Sequence, residues 1–198
     1  MVVMEIEGAE PEAREKETVR LVNKAQKGNE EAFLALFQPL EGLIYRTAYL
    51  YMNNREDALD VVQETACRSF VSINTLKEPK YFKNWVVRIA INCALDEIRK
   101  RKKVISMESL PLKEHLEAEE DPDLSLSLSL LDLLKSLPER NKTVVVLRFY
   151  HDFTLEMISE SMGLPLSTVK TILYKTLKKL TLQVGEDFNY KKKKKRNR

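Results

Sequence analysis

Residues 154–180 read TLEMISESMGLPLSTVKTILYKTLKKL, and the reading of this stretch decides the fold. Thr154 can cap a helix, because its hydroxyl accepts from a free N–H of the first turn. Leu155, Ile158 and Met162 then recur at helical spacing. Gly163 ends that helix, since glycine enters the left-handed conformation without a Cβ penalty. Leu164 and Pro165 carry the turn, and Ser167 or Thr168 is expected to cap a second helix. That helix buries Val169, Ile172, Leu173, Leu177 and Leu180 and shows Lys170, Thr171, Tyr174, Lys175, Lys178 and Lys179 on its other faces. A helix, a glycine turn and a basic second helix match the helix-turn-helix, whose second helix enters the DNA major groove. An ordinary helical hairpin with a solvated lysine face fits the same local pattern.

The rest of the chain is also helical by pattern. Glycine (5) and proline (7) are scarce in its 198 residues, and β-branched runs are few apart from Val144, Val145 and Val146. An amphipathic helix is expected over 12–27, with Val19, Leu21, Val22 and Ala25 inward. Asn29 can cap a following helix carrying Ala32, Phe33, Leu36 and Phe37, and Pro39 interrupts before a helix that runs to about Met52. A long helix over 55–73 has a buried stripe of Ala58, Val61, Val62, Thr65, Ala66, Ser69 and Phe70. Another runs from Tyr81 or Phe82 to about Lys103 and finishes on five basic residues, where the helix dipole favours positive charge. Leucines after Leu124 and the segment from Pro138 to Phe149 supply further helices before Asp152.

The fold class is therefore all-α: two small helical domains joined by an acidic flexible linker, the second a helix-turn-helix. The linker is 104–123, which holds seven acidic residues against Lys113. Residues 1–11 are expected to be disordered, and 185–198 form a basic tail ending in a lysine run.

The net charge of +3 is small but unevenly spread, as in a chain that meets a polyanion in some places and avoids it in others. Cys67 and Cys93 lie in apolar-periodic stretches and read as buried free thiols, not a disulfide framework. His115 and His151 lie far apart with no clustered ligands, so neither a metal nor another cofactor is expected. No Ser/His/Asp set, P-loop or H-E-x-x-H is present, which argues against an enzyme acting on a small-molecule substrate. No apolar run reaches membrane-spanning length, and the first residues carry Glu5, Glu7 and Glu10 in place of a signal peptide. The expected location is the cytoplasm.

Two further segments carry chemistry. Asp57, Asp60, Gln63 and Glu64 lie off the buried stripe of their helix, where a partner-binding face is a better reading than acid–base catalysis. From Tyr81 to Lys103, aromatic, amide and basic groups interleave; aromatic faces stack on unpaired bases while Lys and Arg neutralise phosphate. Trp85 reads as a core anchor and Phe82 could be one too, whereas Tyr81, Lys83 and Asn84 have the better claim to be exposed.

Together these pieces resemble an extracytoplasmic-function (ECF) sigma factor, the minimal two-domain specificity subunit of bacterial RNA polymerase. Residues 28–33, GNEEAF, resemble the start of the first domain, and 55–64, REDALDVVQE, resemble the polymerase-binding helix. Residues 82–85, FKNW, with Arg88, Ile89, Ala90, Asn92, Asp96 and Arg99, resemble the element that melts and reads the −10 promoter region. Leu137, Pro138 and Glu139 open the second domain, and 163–170, GLPLSTVK, resemble the −35 reader. The likeness covers roughly residues 16 to 182. Asn141-Lys142 stands where an Arg is usual, Met157 and Ser159 replace an acidic residue and Ala, and Thr171-Ile172 replaces a frequent Ser-Arg. These departures bear on the −35 sequence preference.

The resemblance implies a first domain (region 2) over 12–103 and a second (region 4) over 124–184. It implies core-polymerase binding through Asp57, Asp60, Gln63 and Glu64, and −10 DNA binding or melting through Lys77, Tyr81, Phe82, Lys83, Asn84, Asn92, Arg99 and Arg101. It implies −35 contacts through Arg148, Ser167, Thr168, Lys170, Thr171, Tyr174, Lys175 and Lys178. The implied partners are core RNA polymerase, promoter DNA and an anti-sigma factor that releases the protein on a stress signal. A stand-alone helix-turn-helix regulator, with the first domain as an oligomerisation or sensing module, is the alternative.

Overall fold

The computed structural model describes residues 11–107 and 128–196, and side-chain surroundings over 12–103 and 132–182. Of the expected disordered start (1–11) and acidic linker (104–123), residues 1–10 and 108–123 lie outside the described residues, whereas Pro11 and residues 104–107 are helical. The described residues form helices and no strand, in two compact units, Met1–Ser125 and Leu126–Arg198.

In the first unit, α1 (Pro11–Ala25) ends where Gly28 takes φ +87°. The Gly28 and Asn29 amides bond back to Ala25 and Lys24, which satisfies carbonyls the helix end would otherwise orphan. Asn29 then caps α2 (Glu30–Phe37) by accepting from the Ala32 N–H at 2.7 Å. A single turn around Pro39 leads into α3 (Glu41–Met52), which stops on Asn53 in the left-handed conformation. Asn54 caps α4 (Arg55–Ser72) by accepting from Asp57 N–H at 3.0 Å. A short turn, Ile73–Thr75, and another, Pro79–Tyr81, precede α5 (Phe82–Met107). That helix passes the expected end at Lys103.

Two apolar clusters hold this unit. Leu21, Val22, Phe33, Phe37, Leu76, Phe82, Trp85 and Val86 close one around α1, α2 and the start of α5. The other lies where α3, α4 and α5 pack on one another, with Ala48, Ala58, Val61 and Ala94 buried. Thr47, Thr65 and Ser69 are buried there too. Their hydroxyls bond carbonyls one turn back, at 2.6–2.7 Å, so their burial strands no polar group. Two expectations are corrected. Phe70 is 37% exposed, touching Phe33 by its ring edge at 5.1 Å, because it lies at the margin of the α4 stripe. Cys67 is exposed, on the outer face of α4; Cys93 is buried, and burial pushes its thiol pKa up.

The second unit has α6 (Leu128–Lys135), α7 (Glu139–Phe149), α8 (Leu155–Met162) and α9 (Leu166–Arg196). Leu134, Leu137, Val144, Val146, Leu147, Phe153, Ile158, Val169 and Leu173 form its buried set. Thr154 caps α8, accepting from Met157 N–H at 3.2 Å, and Gly163 ends it at φ +61°. The Gly163 and Leu164 amides return to Glu160 and Ser159, fixing the turn. Helical bonding in α9 already begins at the Pro165 carbonyl, which accepts from Thr168 and Val169. Ser167 and Thr168 thus sit inside the first turn, not at the expected cap. The backbone of α9 stays helical to Arg196, through Gly185 where the basic tail is expected to begin, since one interior glycine costs only about 1 kcal/mol of helix propensity.

Candidate nucleic-acid interface

Successive helical residues turn by about 100°, so the exposed stripe of α9 follows from its buried one. Val169, Leu173 and Thr176 face the core. Ser167, Thr171, Tyr174 and Lys178 therefore share the opposite face, flanked by exposed Lys170 and Lys175. Tyr174 is 64% exposed. Thr168, expected among the −35 contacts, is half-buried and lies off this stripe. Thr171 turns its hydroxyl back to the Ser167 carbonyl at 2.9 Å and so offers its methyl group outward. Arg148 is exposed but already bonds the Phe153 carbonyl at 2.9 Å, bracing the corner between α7 and α8. Asn141 donates to Thr176 Oγ1 at 2.7 Å, and Thr176 in turn donates to the Ile172 carbonyl. That chain of bonds ties α7 to α9. Lys142 beside it is buried, and desolvation lowers its pKa from the ordinary value.

In the first unit the candidate −10 residues do not form one cluster. Lys77, Tyr81 and Lys83 are exposed around the start of α5, with Lys80 Nζ 5.1 Å from the Tyr81 ring centre. Arg99 and Arg101 lie about 24 to 27 Å beyond Lys83 along the helix axis, at 1.5 Å per residue. Between them, Asn84, Arg88, Asn92 and Arg99 recur at spacings of four, four and seven and so line one face. Arg88, half-buried, shares this face with Asn84 and Asn92. Phe82, expected either as a core anchor or among the −10 residues, is core: it is 2% exposed and packs against Phe33 and Trp85. Burying a ring of that size contributes about 2–3 kcal/mol, which exposure to DNA would forfeit.

The acidic face of α4 is partly consumed within the fold. Asp57 accepts from Arg101 Nη1 at 2.6 Å, and Glu64 accepts from Arg68 Nε at 2.6 Å. Asp60 and Gln63 stay exposed. Arg68 also donates to Asp96 at 2.8 Å, and Arg99 donates to the other Asp96 oxygen at 2.9 Å. The hydrogen bond from Arg68 holds the Asp96 carboxyl below its ordinary pKa, and Asp96 and Glu64 raise that of Arg68. The Asp57 bond likewise raises Arg101. Beside these pairs an open groove of about 450 Å³ is lined by Glu64, Cys67, Arg68, Val71, Ser72, Ile89 and Asn92. Among the described residues no group of three or more His, Cys, Asp or Glu is placed to hold a metal ion. None of the described helices is long and apolar enough to cross a membrane.

Residues 36–104 match the family model "Sigma-70 region 2", and residues 133–181 match "Sigma-70, region 4". The chain is 36% identical over 143 residues to the RNA polymerase sigma factor SigV of Bacillus subtilis, covering 72% of this chain and 85% of that one. It is 30% identical over 178 residues to the ECF RNA polymerase sigma factor SigW of the same organism, covering 83% and 95%. Among solved structures, CnrH in complex with the cytosolic domain of CnrY shares the fold, with a TM-score of 0.64 at 19% identity over 86% of this chain and 99% of that one. The sigma factor RpoE bound to the anti-sigma factor NepR, from Bartonella quintana, has the same TM-score and identity over 77% and 94%. With both region models in order along the chain and relatives covered nearly end to end, this protein belongs to the ECF sigma factors, non-catalytic promoter-recognition subunits of bacterial RNA polymerase.

Proposed function

We propose that residues 12–103 and 124–184 divide the work of a sigma factor between core-polymerase and −10 binding on one side and −35 binding on the other. The observation that carries this reading is the stripe Ser167, Thr171, Tyr174 and Lys178, an exposed polar and basic face on a helix whose other side is core. Placed in a major groove, Tyr174 and Lys170 reach base edges, Thr171 offers its methyl to a thymine methyl, and Lys175 and Lys178 meet phosphate. In the first unit, Lys77, Tyr81, Lys83 and Asn84 engage an unpaired −10 strand by stacking and charge, and Arg88, Asn92 and Arg99 continue that track along α5. Asp60 and Gln63, exposed on α4, present the face for core polymerase.

The protein acts in the cytoplasm, where its polymerase is. The likeness to the sigma factor RpoE, solved with the anti-sigma factor NepR, and to CnrH, solved with the cytosolic domain of CnrY, supports an anti-sigma partner here. A stand-alone regulator is not favoured, because it gives no role to the region 2 match at 36–104. Run-off transcription with purified core polymerase on a genomic promoter pool tests the reading. Initiation from a defined subset of promoters supports it; failure to bind core, or binding without initiation anywhere, rejects it.

A further inference from the structure

Gln26 lies just past the last residue of α1 and outside both stretches matched by the region models. Its half-buried side chain reaches across to the turn after α4, where Nε2 donates to the carbonyls of Ile73 at 3.1 Å and Leu76 at 3.0 Å. Both partners only accept, so the amide must present its nitrogen, and both of its protons are used. The Leu76 N–H bonds the Ile73 carbonyl at 3.1 Å and closes the same turn. Ile73 and Leu76 are buried in the cluster that holds Leu21, Val22 and Ala25.

Beyond Leu76 the chain comes out to solvent: Lys77, Glu78, Lys80 and Tyr81 are exposed before Phe82 returns to the core. The exposed segment 77–81 is thus stapled by Leu76 at one end and Phe82 at the other. Apolar burial is non-directional and leaves each staple some rotation. The two bonds from Gln26 are directional and set where the carbonyls of the first staple point.

We infer that Gln26 is a positioning residue for −10 recognition, holding the turn 73–76 so that 77–81 meets the unpaired strand in one geometry. This rests on the proposal that 77–81 contacts −10 DNA. Choosing one base over another needs stacking and hydrogen-bonding groups held in register, whereas charge attraction tolerates slack. Loss of Gln26 therefore relaxes base choice more than it weakens binding.

The test uses full-length protein with core polymerase, on a promoter panel substituted singly through the −10 element. Gln26→Glu keeps the shape, removes both donors and sets a carboxylate against two carbonyls; Gln26→Met removes the donors without charge. Both variants are expected to lose discrimination about tenfold, with core affinity and helix content unchanged and faster amide exchange at 76–81. Tyr81→Ala and Lys77→Ala run in parallel. If these change the −10 preference but both Gln26 variants keep wild-type ratios, or fall uniformly on every promoter, the role of Gln26 is overturned. If Tyr81→Ala and Lys77→Ala also leave the preference untouched, the assignment of 77–81 to −10 DNA fails with it. Should Gln26→Glu not fold, Gln26→Met decides.

Discussion

Arg101 donates a hydrogen bond to Asp57 at 2.6 Å, so a residue expected to meet −10 DNA is held by one expected to meet core polymerase. The two side chains are 43% and 18% exposed, and Arg101 also bonds Glu97 at 3.2 Å. A carboxylate and a phosphate compete for one guanidinium. Asp57→Asn is therefore expected to tighten binding of a single-stranded −10 oligonucleotide and to steepen its salt dependence. Fluorescence anisotropy over a salt series measures both. The gain should vanish in an Arg101→Ala background, and the pair itself should be worth less than about 1 kcal/mol of stability.

Asp60 and Gln63 are exposed on the α4 face, beside Glu64, which is also exposed but paired with Arg68. Asp60→Ala combined with Gln63→Ala should weaken core-polymerase binding by about 1 kcal/mol or more while leaving the circular dichroism spectrum unchanged. Titration against labelled core polymerase reads this directly. An unchanged affinity would assign core binding to another surface.

Lys170 flanks the exposed stripe of α9. Lys170→Ala should lower −35-dependent transcription. If Lys170 reads a base, discrimination at one −35 position relaxes by about 1–3 kcal/mol; if it meets phosphate, binding falls uniformly and the salt slope loses about one unit. A panel of −35 single substitutions separates the two results.

Lys142 is buried with its pKa lowered, chiefly by desolvation. Between the lowered native value and the ordinary one the unfolded chain binds more protons, so stability rises with pH through that window. Below the native value the cost of burying the charge is present in full. Lys142→Met should raise stability at neutral pH by about 1 kcal/mol and flatten the alkaline rise. Amide-exchange protection of α7, compared between the two proteins across pH, checks the sign.

Much of the fold was legible because its signals are local. Asn29 and Thr154 each cap a helix by accepting from the amide three residues on, and Gly163 ends α8 in the left-handed region. Such bonds are written within one turn of chain and survive any tertiary arrangement. The exposed stripe of α9 was legible for the same reason: periodicity fixes which side of a helix is apolar. The start of α9 was not, because the Pro165 carbonyl accepts the first helical bonds and Ser167 and Thr168 are not needed as caps.

By itself, the sequence determined the order of the helices, the caps at Asn29 and Thr154, the two-domain order and the face of α9 that meets solvent, all through signals that lie within a few residues of chain. Tertiary structure decided which polar groups remain available. Arg101 meets Asp57 across 44 residues, Arg68 meets Asp96 across 28, and Gln26 meets Ile73 across 47. Tertiary packing also put Phe82 in the core and left Cys67 outside it. Periodicity tells a residue which side of its own helix it occupies, but only packing brings another element to that side, and a charge or an amide is spent or free according to what arrives there.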